Sequence, residues 1–172
     1  MGSRMRSPIN LERWIDEHRP LLKPPVGNKC IHDGDFIIMI VGGPNQRSDY
    51  HYEEGPEFFY QLEGAMVLRL MEDDGPRDVT IEEGEIFYLP PRIPHSPQRF
   101  ENTVGLVIER KRQAQEKDGL MWFCPNCHRK LHEVYFGLDN IETQFPPIIG
   151  EFLDSEQLRQ CSHCATVHPG SE

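Results

Sequence analysis

From residue 34 to residue 110 the chain is a succession of short apolar runs separated by turn residues, with no helical period between them. FIIMIV (36–41), EFFYQLEG (57–64), MVLRLM (66–71), VTIEEG (79–84), IFYLP (86–90) and VGLVIE (104–109) are rich in β-branched and aromatic residues. Asp74-Gly75-Pro76 and Glu83-Gly84 supply turn signals between them. Parallel strands need a long crossover, usually a helix, and no such pattern intervenes. The run therefore predicts an all-β fold, an antiparallel sandwich or barrel of the jelly-roll type.

The flanks read differently. Leu11, Trp14, Ile15 and His18 recur at helical spacing behind Asn10, a favoured N-cap, and Pro20, Pro24 and Pro25 end that short helix. RKRQAQEKDG (110–119) is charged, lacks large apolar residues and reads as a linker. Beyond it the expectations are a strand at LHEVYFGL (131–138), a break at Pro146-Pro147 and a short helix near 155–160.

Charge and hydropathy exclude two function classes. The formal net charge is −10, and residues 111–172 are acidic as well, with six Lys/Arg against nine Asp/Glu. A nucleic-acid partner needs a basic footprint, so none is expected. No apolar run approaches the ~20 residues of a membrane span, and MGSRMRSPIN has no signal-peptide core. The expected compartment is the cytoplasm.

Within the strand-rich region two histidines each stand four residues from an arginine, Arg47 before His51 and Arg99 after His95. Glu57 follows His51 by six residues, roughly 20 Å on a straight strand. Glu53-Glu54-Gly55-Pro56 offers a turn, and a hairpin there would bring His51 and Glu57 together. By strand parity Arg47, Asp49 and His51 share a face, as do Glu57, Phe59 and Gln61, and Glu109 lies opposite Leu106 and Ile108. Two imidazoles and a carboxylate form a facial triad with open coordination positions, suited to non-haem Fe(II) oxygenases. Zn(II) or Mn(II) would also satisfy these ligands.

Cys124-x2-Cys127 and Cys161-x2-Cys164 are separated by 33 residues. Paired knuckles of this kind predict a closed tetrahedral thiolate site for Zn(II) or a rubredoxin-type iron, most simply structural. His128, His132, His163 and His168 lie nearby as lesser ligand candidates. In a reducing compartment such paired cysteines favour metal over disulfide, while Cys30 stands alone and reads as an ordinary small apolar residue.

Two spacings resemble the cupin motifs: Gly43-x5-Asp49-x-His51-x5-Glu57-x6-Gly64, and Gly84-x5-Pro90-x4-His95-x3-Arg99. Asp49 stands where many cupins have another histidine, and Arg99 where the second motif usually ends in asparagine. WIDEHRPLLKPPVGN (14–28), IVGGPNQRSDYH (40–51), EFFYQLEG (57–64), YLPPRIPHSPQRF (88–100) and GLVIER (105–110) further resemble the 3-hydroxyanthranilate 3,4-dioxygenase family in its small fungal and bacterial form. The resemblance covers nearly the whole chain, the cysteine pairs included.

It implies a cupin jelly-roll catalytic domain over 1–110, then a linker and rubredoxin-like or zinc-knuckle region over 111–172. It implies Fe(II) on His51, Glu57 and His95, and a second metal, Zn(II) or Fe, on Cys124, Cys127, Cys161 and Cys164. Substrate-binding and catalytic roles fall on Arg47, Arg99 and Glu109, beside Glu57. The implied partners are 3-hydroxyanthranilate and O2, and the implied assembly is a homodimer, by an added strand or through the outward Phe58 and Tyr60. The reaction implied is ring opening on the route from tryptophan to quinolinate and NAD. A different reading of the same residues is a non-enzymatic, metal-dependent cupin sensor of a small acid.

Overall fold

The computed structural model describes residues 7–24 and 27–170. The first six residues of the stretch scanned for a leader, and Pro25, lie outside the described residues. The chain opens with α1 (Leu11–His18), where Asn10 accepts from the Arg13 amide, then one 3-10 turn (Arg19–Leu22). Eleven described strands follow: β1 (Asn28–Asp33), β2 (Phe36–Gly42), β3 (Tyr50–Tyr52), β4 (Glu57–Glu63), β5 (Met66–Glu72), β6 (Gly75–Ile81), β7 (Ile86–Leu89), β8 (His95–Arg99), β9 (Val104–Arg110), β10 (Asp118–Phe123) and β11 (Lys130–Phe136). Two helices close the order, α2 (Ile141–Asp154) and α3 (Glu156–Arg159).

The strands form two antiparallel sheets, ordered β1-β2-β9-β4-β7 and β11-β10-β3-β8-β5-β6. The all-β reading holds, and the fold is an antiparallel double sheet. Apolar residues of both sheets meet between them, with Phe59, Met66, Leu68, Leu70, Ile81, Leu89 and Val107 buried in one cluster. A second cluster packs α1 through Ile15 against Ile40, Leu22 and Val104 on the outside of the first sheet. A third, Leu120, Trp122, Phe145 and Phe152, packs α2 onto β10.

Three local expectations are corrected. β3 and β4 are not hairpin partners: β3 pairs with β8 and β10, and β4 with β7 and β9, so residues 53–56 carry the chain from one sheet to the other. The strand expected to begin at Val79 begins at Gly75, because β6 is an edge strand, where Pro76 withholds no ladder bond the sheet needs. No break occurs at Pro146-Pro147, since α2 runs through both. An interior proline costs a helix about 3 kcal/mol or more, and burying Phe145 and Phe152 in the third cluster offsets that.

The region after residue 110 is continuous with the strand-rich part at the level of hydrogen bonds. Gly119, Leu120 and Met121 of β10 pair with Tyr52, His51 and Tyr50 of β3.

Candidate active site and metal centres

Every second residue from Asp49 to Gln61 is buried: Asp49, His51, Glu53, Gly55, Glu57, Phe59 and Gln61. The alternation survives the change of sheet at 53–56, so polar and apolar side chains alike point between the sheets. Opposite strands complete the set. His51 and His95 are cross-strand partners on one sheet, and Glu57 and Glu109 are cross-strand partners on the other. Two imidazoles therefore face two carboxylates across the interior.

The hydrogen bonds of the imidazoles decide which nitrogens are free. His95 Nδ1 lies 3.0 Å from the Ile93 carbonyl, which can only accept, so this nitrogen carries the proton. His51 Nε2 lies 2.6 Å from Asp118 Oδ2, a carboxylate, so there the proton sits on Nε2. The remaining lone pairs face Glu57 Oε1, at 2.8 Å from His95 Nε2 and 3.7 Å from His51 Nδ1. Glu57 Oε1 accepts no hydrogen bond among the described residues. Three acceptors converging on one buried point, all within 4.8 Å of one another, fit a bound divalent cation. Burial opposes charge on both partners. The Glu57 charge nevertheless pushes His95 up, while His95, His51 and Arg112 hold Glu57 down at about 2.

Arg99, on β8 beside this centre, is 4% exposed, and its Nη1 has no hydrogen-bond partner among the described residues. Burial lowers its pKa to about 10, against the pull of Glu57. Room for the guanidinium is made by Gly105, where a Cβ would stand 2.6 Å from Arg99 Nη1. Asn45 fixes the backbone, accepting from the Arg99 amide through Oδ1 at 2.8 Å. Arg47 instead has a partner: Nε donates to Asp49 Oδ1 at 3.2 Å, and Nη2 also bonds Asp49. Its guanidinium lies 5.6 Å above the Phe145 ring, which stands 5.5 Å from the His51 ring.

Glu109 is 3% exposed and pairs with Arg112 Nη1 at 2.7 Å. It forms the inner wall of a cavity of about 490 Å³ bounded by Asn28, Ile37, Met39, Arg112 and Ile141, within the roughly 300–1,000 Å³ usual for small-molecule sites. Glu109 bounds this cavity, and its cross-strand partner Glu57 does not.

Sequence reasoning missed four residues here. Asp118 braces His51, Arg112 joins Glu109, Glu53 and Asp118, Glu53 is buried among them, and Phe145 covers Arg47. The buried parity of Glu53 was a usable signal. The other three carry none in a stretch that reads as linker and helix break.

The second centre gathers all four cysteines, with sulfur–sulfur separations of 3.5 Å (124–164), 3.6 Å (127–161) and 3.6 Å (127–164). Four thiolates about 2.3 Å from one ion stand roughly 3.8 Å apart, so the cluster fits a tetrahedral metal. Each knuckle turns through a left-handed residue just after its second cysteine, His128 (φ 60°) and Ala165 (φ 60°). Hydrogen bonds from Thr166 and Asn126 lower the Cys164 thiol to about 5, favouring the thiolate a metal binds.

The 3-hydroxyanthranilic acid dioxygenase family model matches residues 4–153. This chain is a member of that family. It is 60% identical over 165 residues to a 3-hydroxyanthranilate 3,4-dioxygenase of Xanthomonas campestris pv. campestris, covering 96% of this chain and 94% of that one. It is 46% identical over 163 residues to the Neurospora crassa protein of the same name, covering 95% and 91%. Among solved structures it is similar to a cupin-2 domain containing protein from Shewanella frigidimarina, with TM-score 0.48, 18% identity, and coverage of 60% of this chain and 94% of that one. Membership selects the enzymatic reading over the sensor. No described helix is long and apolar enough to cross a membrane.

Proposed function

We propose that this protein opens the ring of 3-hydroxyanthranilate with both atoms of O2, giving 2-amino-3-carboxymuconate semialdehyde, which closes without enzyme to quinolinate, an NAD precursor. The observation that carries the reading is Arg99: a buried guanidinium with an unpaired Nη1, beside a converging His51–Glu57–His95 triad. A buried guanidinium nitrogen without a hydrogen-bond partner calls for an acceptor, and the substrate brings a carboxylate.

His51, Glu57 and His95 are the ligands we assign to Fe(II). When bound, iron would supply redox and Lewis-acid chemistry for the reaction of the ring with dioxygen. Arg99 binds the substrate carboxylate and so orients the ring. Glu109, at the inner end of the cavity, accepts a proton or hydrogen bond from the phenol or amine as the ring enters. Arg47, tied by Asp49, contributes fixed positive charge toward the pocket. Phe59, with its ring 6.3 Å from that of His95, excludes water beneath the site.

The four cysteines hold a structural Zn(II) or Fe. The catalytic unit spans 1–110 and the metal-binding region 111–172, although Asp118 and Arg112 of the second complete the pocket of the first. The assembly is a homodimer through the outer face of β4 and β7, where Tyr60 (36% exposed), Ile86 (64%) and Tyr88 (60%) are neighbours. Five cysteines without a disulfide fit the cytoplasm. The test is anaerobic protein loaded with Fe(II), then given 3-hydroxyanthranilate and O2. Stoichiometric oxygen uptake with a transient near-ultraviolet product is expected, and neither signal would leave the reading without support.

A further inference from the structure

Arg112 belongs to a segment with no regular structure, between β9 and β10, whose neighbours Lys111 and Gln113 face solvent. Lys111 keeps 62% of its side chain exposed, whereas that of Arg112 is 11% exposed. Its guanidinium turns inward and meets three carboxylates. Nη1 lies 2.7 Å from Glu109 Oε1, and Nη2 lies 2.7 Å from Glu53 Oε2 and 2.7 Å from Asp118 Oδ2. Nε completes a two-point grip on Asp118 Oδ1 at 3.0 Å. Each of the three carboxylates is at most 3% exposed, and Glu53 and Glu109 share their cluster with Glu57.

We propose that Arg112 is a positioning residue for the reaction, fixing Glu109 in the cavity wall and Asp118 against His51 with one rigid fork. The proposal rests on the reading of Glu109 as a substrate-facing group. Charge balance alone would be met by any cation, since an ammonium carries the same charge. An ammonium is a point, however, whereas the planar guanidinium donates hydrogen bonds at set angles to Asp118 and Glu53 and thereby aims its remaining Nη1 at Glu109, which it meets as an ion pair. The two ends of the fork lead to different parts of the centre. One ends on the pocket carboxylate, and the other ends on the carboxylate that sets the His51 tautomer.

A double-mutant cycle on the metal-loaded enzyme tests this, with Arg112→Lys, Glu109→Gln and both together, following kcat/KM, metal stoichiometry and Tm. Arg112→Lys is expected to lower kcat/KM about tenfold with metal content unchanged, and in the Glu109→Gln background to lower it less than threefold. A merely structural cation would lower kcat/KM by the same factor in both backgrounds, and that result overturns the proposal. So does an Arg112→Lys enzyme as active as the unaltered one. If Arg112→Lys does not fold, Arg112→Gln, which keeps an amide donor without the charged fork, takes its place in the cycle. An unimpaired Glu109→Gln enzyme would instead overturn the reading of Glu109, a separable outcome.

Discussion

The two candidate metal centres are assembled in opposite ways. The four-cysteine centre takes its ligands from two knuckles, each closing within four residues, and its sulfurs surround a single point. The candidate histidine–glutamate centre draws one side chain from each of β3, β4 and β8, on two different sheets. The first is local chemistry that needs the fold only to bring two loops together. The second exists only when both sheets are packed. A closed ligand sphere suits stability, and an open one suits turnover.

Removing a ligand from each centre is the strongest way to break this contrast. Glu57→Ala is expected to abolish turnover and remove one of two metal equivalents, with the other retained in elemental analysis. Cys124→Ser with Cys127→Ser is expected to do the reverse to the metal and to cost stability on the order of 10 kcal/mol, read as insoluble protein or a collapsed melting transition. If Glu57→Ala also emptied the cysteine site, the centres would not be independent.

Smaller changes sharpen the comparison within the open centre. Arg99→Ala should raise KM by roughly 10- to 150-fold, the worth of about 1.5–3 kcal/mol of charged hydrogen bonding, while iron content stays unchanged. An unchanged KM would remove Arg99 from the carboxylate role. Gly105→Ala puts a methyl 2.6 Å from Arg99 Nη1 and 2.8 Å from Gln61 Oε1. It should raise KM less than loss of Arg99 does and lower stability by about 1–3 kcal/mol, measured by kinetics and denaturant melts. A further effect is read in the pH dependence and concerns Glu53. Burial, and then the charges of Glu109 and Glu57, push it up to about 11, while Arg112 pulls the other way. The folded state then keeps a proton that the unfolded chain loses near pH 4.5, so this group's contribution is full below that pH and declines as pH rises toward 11. Melts of Glu53→Gln between about pH 5 and pH 9 should fall less steeply than those of the unaltered protein.

The contrast also explains what the sequence made legible. Cysteine knuckles, the strand alternation and the Asn10 cap are local patterns, and each appears in the structure where the spacing put it. Arg112 and Asp118 lie in a stretch whose charge density reads as solvated, and only packing turns them inward. The helix through Pro146 and Pro147 is similarly decided by Phe145 and Phe152 rather than by propensity. The crossing between β3 and β4 escaped because a turn sequence does not say which sheet the next strand joins.

The pairing of β10 with β3 has a consequence for how such a chain tolerates shortening. β3 is three residues long and carries His51, and its other neighbour, β8, pairs with it only at His95. A chain ending at Arg110 would leave β3 as a bare margin, its backbone amides and carbonyls open to any passing strand. Such a fragment is a candidate for aggregation rather than for a minimal enzyme. Any shorter descendant of this architecture would have to supply a substitute strand along that margin.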